Sequence, residues 1–349
     1  MSNVTAVILA AGMGTRMKSD LVKVLHPLAG KPMIEHVIDA VRAAGVDRCI
    51  VVVGHQADRV KETVKRPVEF VVQAEQLGTG HAVMQAEEAL AGFDGLVLVT
   101  YGDTPLYTPE TYRALIENHR RSGAKATLLS TFLENPRGYG RVIREQDGGF
   151  SKIVEQKDID SPAIESVKEI NTGTYCFDAR ALFQALRKVR NDNQQGEYYL
   201  PDVLKVLRDQ GETVAIDVLA DASEALGIND RRQLAEAEAV LNRRTLDRLM
   251  ESGVTIVDPA STYIHCTVAI GRDTVIYPFT CIEGGTVIGE GCRIGPGARI
   301  VDSKLGNSVT IDASSVYEST VKDGASIGPH VFVPPGSEVR EGKRIDRQW

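Results

Sequence analysis

Up to Gln210 the chain alternates short apolar runs with amphipathic stretches, and after Ser252 it keeps a different beat. Runs rich in Val, Ile, Leu and Phe predict strands at Val4–Leu9, Cys49–Gly54, Glu69–Gln73, Leu96–Tyr101, Ala126–Phe132, Gly140–Arg144 and Thr174–Phe177. Apolar positions at helical spacing predict helices over Ile34–Ala44, Gly80–Ala91, Pro109–Ser122, Ala179–Lys188 and Leu200–Gln210. That rhythm predicts an α/β fold with a doubly wound, Rossmann-like sheet, whose ligands sit outside the carboxyl ends of the strands. The segment Gly138–Ile153 interrupts the alternation and reads as an antiparallel hairpin, suited to form one wall of a pocket.

In the last third, Ile270, Ile276, Ile282, Ile288, Ile294 and Ile300 recur every six residues. After one shorter step, Leu305, Ile311, Val316, Val321, Ile327 and Val333 continue the series imperfectly. Neither a helix nor a flat strand has that period. Hexads with glycine after the aliphatic predict a short left-handed parallel β-helix, one inward residue per face; a Val/Ile-rich sandwich is the alternative. The stretch from Ile264 to Val333 then holds nearly four coils at about 18 residues each. Between the two patterns, Leu234, Ala237, Leu241 and Leu249 mark a connecting helix. The predicted domains are 1–228 (α/β), 229–252 (linker helix) and 253–349 (β-helix).

Composition narrows the function classes. A formal net charge of -7 on 349 residues gives no broad basic surface for nucleic acid, so any cationic site must be local. Cys49, Cys176, Cys266, Cys281 and Cys292 are odd in number and scattered, which speaks against a disulfide framework or a zinc site. No apolar run reaches the roughly 18 residues of a spanning helix, and the N-terminus lacks a signal-peptide pattern. The expectation is a cytoplasmic protein without membrane or nucleic-acid partners.

The chemistry concentrates in Ala10-Ala11-Gly12-Met13-Gly14-Thr15-Arg16-Met17, followed by Lys23. A glycine-rich turn leaving a strand exposes backbone N–H groups, and a guanidinium with an ammonium beside it makes a receptor for several phosphates. The spacing fits neither a dinucleotide fingerprint, which needs a third glycine where Met17 stands, nor a P-loop. Gly-x-Gly alone also suits a plain tight turn; the two cations favour phosphate binding. Asp103, ahead of Thr104-Pro105, suits either a turn or a ligand role, and Asn229 either a metal ligand or the N-cap of the linker helix. His81 is expected to pack at the start of its helix, not to act as an acid or base.

With Gln73-Ala74-Glu75-Gln76-Leu77-Gly78-Thr79-Gly80-His81, Tyr101-Gly102-Asp103, Gly138-Tyr139-Gly140-Arg141, Glu169-Ile170-Asn171-Thr172-Gly173 and Gly227-Ile228-Asn229 in order, the chain resembles the sugar nucleotidyltransferases. It is most similar to the bifunctional N-acetylglucosamine-1-phosphate uridylyltransferase/glucosamine-1-phosphate acetyltransferase family. The resemblance implies an enzyme that joins UTP to N-acetylglucosamine-1-phosphate with Mg²⁺, supplying UDP-N-acetylglucosamine for peptidoglycan and the cell envelope. It implies catalytic roles for Arg16, Lys23 and Asp103, and nucleotide contacts from Leu9, Ala10, Ala11, Gly12, Gly14, Gln73, Gly78 and Thr79. Sugar contacts fall to Tyr101, Gly102, Gly140, Glu155, Asn171 and Thr172, and metal coordination to Asp103 and Asn229. Glu197 and Tyr198 are candidates for a loop that closes on the sugar. A related transferase for another sugar-1-phosphate or base, and a non-catalytic sugar-nucleotide scaffold, are the competing readings. Two departures stand out. Val22 replaces the proline that usually precedes the lysine, which is expected to loosen the loop, and the acetyltransferase part is expected to be absent. The resemblance further implies a homotrimer held by the β-helix.

Overall fold

A computed structural model describes residues 3–346; Arg347–Trp349, at the end of the predicted β-helix segment, lie outside the described residues. The chain divides into two compact units, one made of residues up to His26 with Pro32–Leu234, the other of Pro27–Lys31 with Ala235 onward.

In the first unit the strands are β1 (Val4–Ala10), β2 (Arg48–Val53), β3 (Glu69–Val72), β4 (Leu96–Tyr101), β5 (Ala126–Phe132), β6 (Arg141–Arg144), β7 (Phe150–Val154), β8 (Glu169–Asp178) and β9 (Val214–Val218). The main sheet runs β9-β5-β8-β4-β1-β2-β3. Pairs β1/β2, β1/β4, β2/β3 and β5/β9 are parallel, while β8 is antiparallel to both β4 and β5. The helices are α1 (Met33–Ala43), α2 (Ala57–Thr63), α3 (Thr79–Met84), α4 (Pro109–Ser122), α5 (Ala179–Leu186) and α6 (Asp202–Asp209). All seven residues of β1 are buried because both faces of the sheet are covered. Val4, Ala6, Ile8 and Ala10 share a core with Ile34 and Val37 of α1 and Leu115 of α4. Val7 and Leu9 point the other way, into a core with Val83 of α3, Leu182 of α5 and Leu204 of α6.

Two elements differ from expectation. Helix α3 stops at Met84 instead of Ala91, since Gln85, Ala86 and Glu87 donate back three residues in successive tight turns. Strand β8 begins five residues before the predicted Thr174. Its register shifts between Asn171 and Tyr175, so the polar Asn171-Thr172-Gly173 forms a bulge that breaks the alternating pattern. The structure adds α2 and β9, which were not predicted. The hairpin β6/β7 does form, and it joins the sheet through Arg141 opposite Ile170.

The second unit begins with α7 (Arg231–Glu251), a helix whose first turn lies in the first unit, and continues as three parallel sheets of two- and three-residue strands. One sheet stacks six rungs, from Thr255–Ile256 to Arg344–Ile345, and the others five each. Among the described residues the coils number five plus one further rung, since Ile256, Val339 and Ile345, outside the stretch Ile264–Val333 of the expected four, also point inward. Register follows the inward residue even where the period shortens: Leu305 sits on Ile288 and Val321 on Leu305. Leu246 and Leu249 of α7 join the same core. Pro27–Lys31 is held here as well. Ala29 donates its N–H to Glu238 Oε2 at 2.8 Å and accepts from Cys266 N at 3.0 Å. None of the five cysteines forms a disulfide. Among the described residues, no helix is long and apolar enough to cross a membrane.

Ile294 is fully buried in the coil interior, stacked between Ile276 and Ile311. Ile294→Ala is expected to cost about 2–5 kcal/mol, read from the second unit's denaturant midpoint. A loss below 1 kcal/mol would show that the coil interior relaxes around the gap.

Candidate active site

The loop after β1 is shaped by Gly14 and Lys23. Gly14 sits at φ 63°, and a Cβ there would lie 2.6 Å from the Cβ of Lys23, so a side chain is excluded both by backbone and by space. Two 3₁₀ turns, Thr15–Met17 and Lys23–Leu25, then anchor the loop through buried Met17, Val24 and Leu25. Val22 does not loosen it. Its φ of -53° and ψ of 135° are those a proline would take, and its side chain is buried in the core shared with α1.

At the end of β4, Gly102 donates to Leu9 O at 2.9 Å, holding the two strand ends level, and Asp103 follows. The Asp103 carbonyl accepts from Ile228 N at 2.9 Å, which brings Asn229 alongside. Asn229 is not the helix cap: Asp230 Oδ1 takes the N–H groups of Arg232 and Gln233, both at 2.9 Å. Asn229 Oδ1 instead accepts from Arg16 at 2.9 Å and from Lys23 Nζ at 3.1 Å, while Lys23 Nζ also forms an ion pair with Asp103. Lys23 and Asp103 keep only 14% and 17% of their side-chain exposure, so the pair is largely out of water. Four residues from three distant segments thus meet at the carboxyl ends of β1 and β4.

Beside them opens a cavity of about 370 Å³ lined by Leu9, Ala10, Ala11, Gly12, Lys23, Gln73, Gly78, Thr79, Tyr101 and Asp103 among others. Gln73 is buried, with its Nε2 3.0 Å from Gly78 O and 3.1 Å from His81 Nδ1. Sequence reasoning missed Gln76 as a site residue; it lines the cavity, and its Nε2 donates to Ala11 O at 2.8 Å, which ties the Gln73–Thr79 loop to the glycine loop. A polar residue inside the Gln73–Thr79 loop was the available signal. Glu197 also lines the cavity, and Tyr198 is bonded on both sides, to Leu77 O at 2.8 Å and from Gly80 N at 2.7 Å.

A second cavity of about 260 Å³ shares Thr79, Tyr101 and Glu197 with the first and adds Glu155, Gln156, Lys157 and Tyr199. Gly140 faces Glu155: a Cβ there would stand 3.0 Å from Glu155 Oε1. Asn171, in the β8 bulge, donates its N–H to Gly140 O at 2.9 Å, while its Oδ1 accepts from Gly173 N and Tyr175 OH. Thr172 turns inward, its hydroxyl donating to Leu129 O at 2.7 Å. Of the sugar-site candidates, Tyr101 and Glu155 line this cavity; Gly140 and Asn171 stand behind Glu155; Gly102 opens the turn after β4 and Thr172 lies within β8. Burial raises the Glu155 carboxyl to about 7, with Asp158 and Asp202 adding to the rise and Asn171 opposing it. Asp202 is likewise raised to about 6, mainly by burial.

Asp103 and Asn229 offer an anionic and a neutral oxygen already gathered around a cationic group. That donor set fits a hard ion such as Mg²⁺, which takes one or two protein oxygens and completes its shell with phosphate and water. Among the described residues, no group of three or more His, Cys, Asp or Glu forms a dedicated metal cage.

Residues 6–251 match the MobA-like NTP transferase domain family. Over 345 residues the chain is 51% identical to the bifunctional protein GlmU of Shouchella clausii, covering 99% of this chain and 76% of that protein. The chain belongs to the GlmU family. A GlmU protein of Listeria monocytogenes serotype 4a is 51% identical and one of Halalkalibacterium halodurans 50%, with 75% and 76% of their lengths covered. With its NTP transferase domain, this GlmU-family chain is a sugar-1-phosphate nucleotidyltransferase. Residues 267–301 match the bacterial transferase hexapeptide family, six repeats, within coils that extend further in both directions.

The raised Glu155 carboxyl makes stability depend on pH. The unfolded chain ionises it near 4.5 and the folded protein near 7, so stability falls as pH rises through that window and levels off above it. Glu155→Gln is expected to shrink the difference in urea midpoint between pH 5 and pH 8, with Asp202 sustaining the remainder. An unchanged difference would show that Glu155 ionises normally.

Proposed function

We propose that this protein transfers the uridylyl group of UTP to N-acetylglucosamine-1-phosphate, releasing pyrophosphate and forming UDP-N-acetylglucosamine. The observation that carries the reading is the meeting of Arg16, Lys23, Asp103 and Asn229 beside a cavity that shares Thr79, Tyr101 and Glu197 with a second one. A phosphate oxygen of the sugar ester attacks the α-phosphorus of UTP in line with the departing pyrophosphate. Such a step needs alignment and charge neutralisation, with no covalent intermediate on the protein.

The first cavity takes the nucleotide. Leu9, Ala10 and Ala11 form its floor, Gly12 and Gly14 bring backbone N–H groups to the triphosphate, and Gln73, Gly78 and Thr79 face the uracil. Arg16 and Lys23 neutralise the phosphates where charge accumulates. Mg²⁺, held by Asp103 and Asn229, supplies further charge neutralisation to the phosphates when bound. The second cavity takes the amino-sugar, with Tyr101 and Glu155 in its wall, Gly102, Gly140 and Asn171 setting their positions, and Thr172 fixing the bulge. On this reading residues 1–228 are the uridylyltransferase domain, 229–252 the linker and 253–349 the β-helix. The β-helix assembles a homotrimer, for which exposed Tyr263, Phe279, Val287 and Phe332 provide apolar surface. The enzyme works in the cytoplasm and its product enters cell-envelope peptidoglycan.

Arg16→Ala and Asp103→Asn are each expected to lower turnover by about 10²–10³ with little change in thermal unfolding. Pyrophosphate release from UTP and N-acetylglucosamine-1-phosphate at saturating Mg²⁺ measures it, and wild-type turnover in either variant would remove that residue from its role. A panel of nucleoside triphosphates against sugar-1-phosphates is expected to give the highest kcat/KM for the pair named. Release with none of the pairs would favour a non-catalytic scaffold.

A further inference from the structure

We infer that His81 is a positioning residue for base selection: its Nδ1 lone pair fixes the Gln73 carboxamide so that an acceptor, Oε1, is presented to the base. The inference rests on the proposed role of Gln73 and deepens it.

A primary amide has two N–H donors on one side and a carbonyl oxygen on the other, and the contacts decide which side faces a ligand. Gly78 O lies 3.0 Å from one end of the Gln73 amide and can only accept, so the nitrogen must occupy that end. The second N–H then meets His81 Nδ1 at 3.1 Å, which requires Nδ1 to accept and places the ring proton on Nε2. With both N–H groups committed, Oε1 is the atom left for a ligand in the cavity that Gln73 lines. An acceptor at that point matches a pyrimidine whose N3 carries hydrogen, as in uracil. It meets the bare N3 lone pair of cytosine with repulsion.

Gln85 competes for the ring. Its Nε2 lies 3.2 Å from His81 Nε2, and a neutral imidazole can accept from only one of the two amides. Gln85 is half-buried and also bonds the His81 backbone oxygen at 3.0 Å, so it keeps a partner whichever nitrogen carries the proton. Gln73 is buried, and the partner of its second N–H is Nδ1. The balance therefore settles on the Nδ1 lone pair facing Gln73. The ring is carried by α3 and lies against Tyr198, with centroids 6.5 Å apart, so the strap bonded to Leu77 and Gly80 also bounds the imidazole.

The experiment compares kcat/KM for UTP and CTP, with N-acetylglucosamine-1-phosphate as acceptor, in wild type, His81→Phe, His81→Asn and Gln73→Ala. His81→Phe keeps a flat ring beside Tyr198 but no acceptor, and is expected to lower the UTP/CTP ratio about tenfold, the effect of one hydrogen bond. His81→Asn can place a carbonyl oxygen near the Nδ1 position and is expected to keep the ratio within about threefold of wild type, a rescue that packing alone does not produce. KM for the sugar phosphate is expected to stay unchanged in both. If His81→Phe does not fold, His81→Leu takes its place with the same expectation. A ratio unchanged by the acceptor-free variant but collapsed by Gln73→Ala would overturn the positioning role and leave base reading by Gln73 intact. An equal loss in the Asn and Phe variants would overturn it too. A ratio unchanged in Gln73→Ala would instead remove the base-reading role on which the inference stands.

Discussion

The first unit is organised around an ammonium and a carboxylate that are both mostly withdrawn from water. Lys23 and Asp103 come from the loop after β1 and the end of β4, and their contact closes the glycine loop against the sheet. Withdrawing two charges is costly, and such a pair stabilises a fold no better than well-packed apolar residues often would. Its value lies in what it keeps ready. On the proposed function, polyphosphate takes over the lysine while a hard cation takes over the aspartate, and the two exchanges together leave both charges compensated. Arg16 and Asn229 extend the same arrangement, so the site is preorganised before ligands arrive.

The two cavities share Thr79, Tyr101 and Glu197 but differ in their remaining charged groups. The first adds the paired Lys23 and Asp103, the second Glu155 and Lys157. The second is bordered by Glu155, with Asp158 and Asp202 near enough to raise its proton affinity. On the proposed function, the first receives the triphosphate and the second the sugar, whose hydroxyl groups can donate to the Glu155 carboxyl. The β8 bulge shapes the wall of the second cavity, because it brings Asn171 to Gly140, which lies against Glu155.

Much of this was legible in residues alone. β1, β4 and β5 are nearly continuous apolar runs, and strands buried on both faces leave that mark plainly. Six-residue spacing gave away the coils, since each inward aliphatic occupies a face that nothing else can fill. The local grouping of Gly12, Gly14, Arg16 and Lys23 marked the loop that the fold sets beside the cavity. What escaped had physical reasons. Thr255–Ile256 and Arg344–Ile345 close the ends of the β-helix with one aliphatic each, too little to register as repeats. β9 is an edge strand whose side chains are mostly half-buried, so its pattern is weak. Gln76 and His81 stand at the site through bonds to a carbonyl and an amide, and neither partner leaves a trace in composition. Val22 misled because proline-like backbone angles are open to valine whenever packing selects them.

The five residues Pro27–Lys31 separate the two covalent halves of the first unit, yet Ala29 finds its hydrogen-bonding partners on Glu238 and Cys266. The polypeptide consequently passes from one unit to the other three times, and neither unit is a single stretch of gene. Trimming the chain behind the α/β part would remove both hydrogen-bonding partners of Ala29, in the segment immediately downstream of the lysine turn. Recombining catalytic and coil portions between relatives therefore means exchanging that short segment together with the coils that hold it.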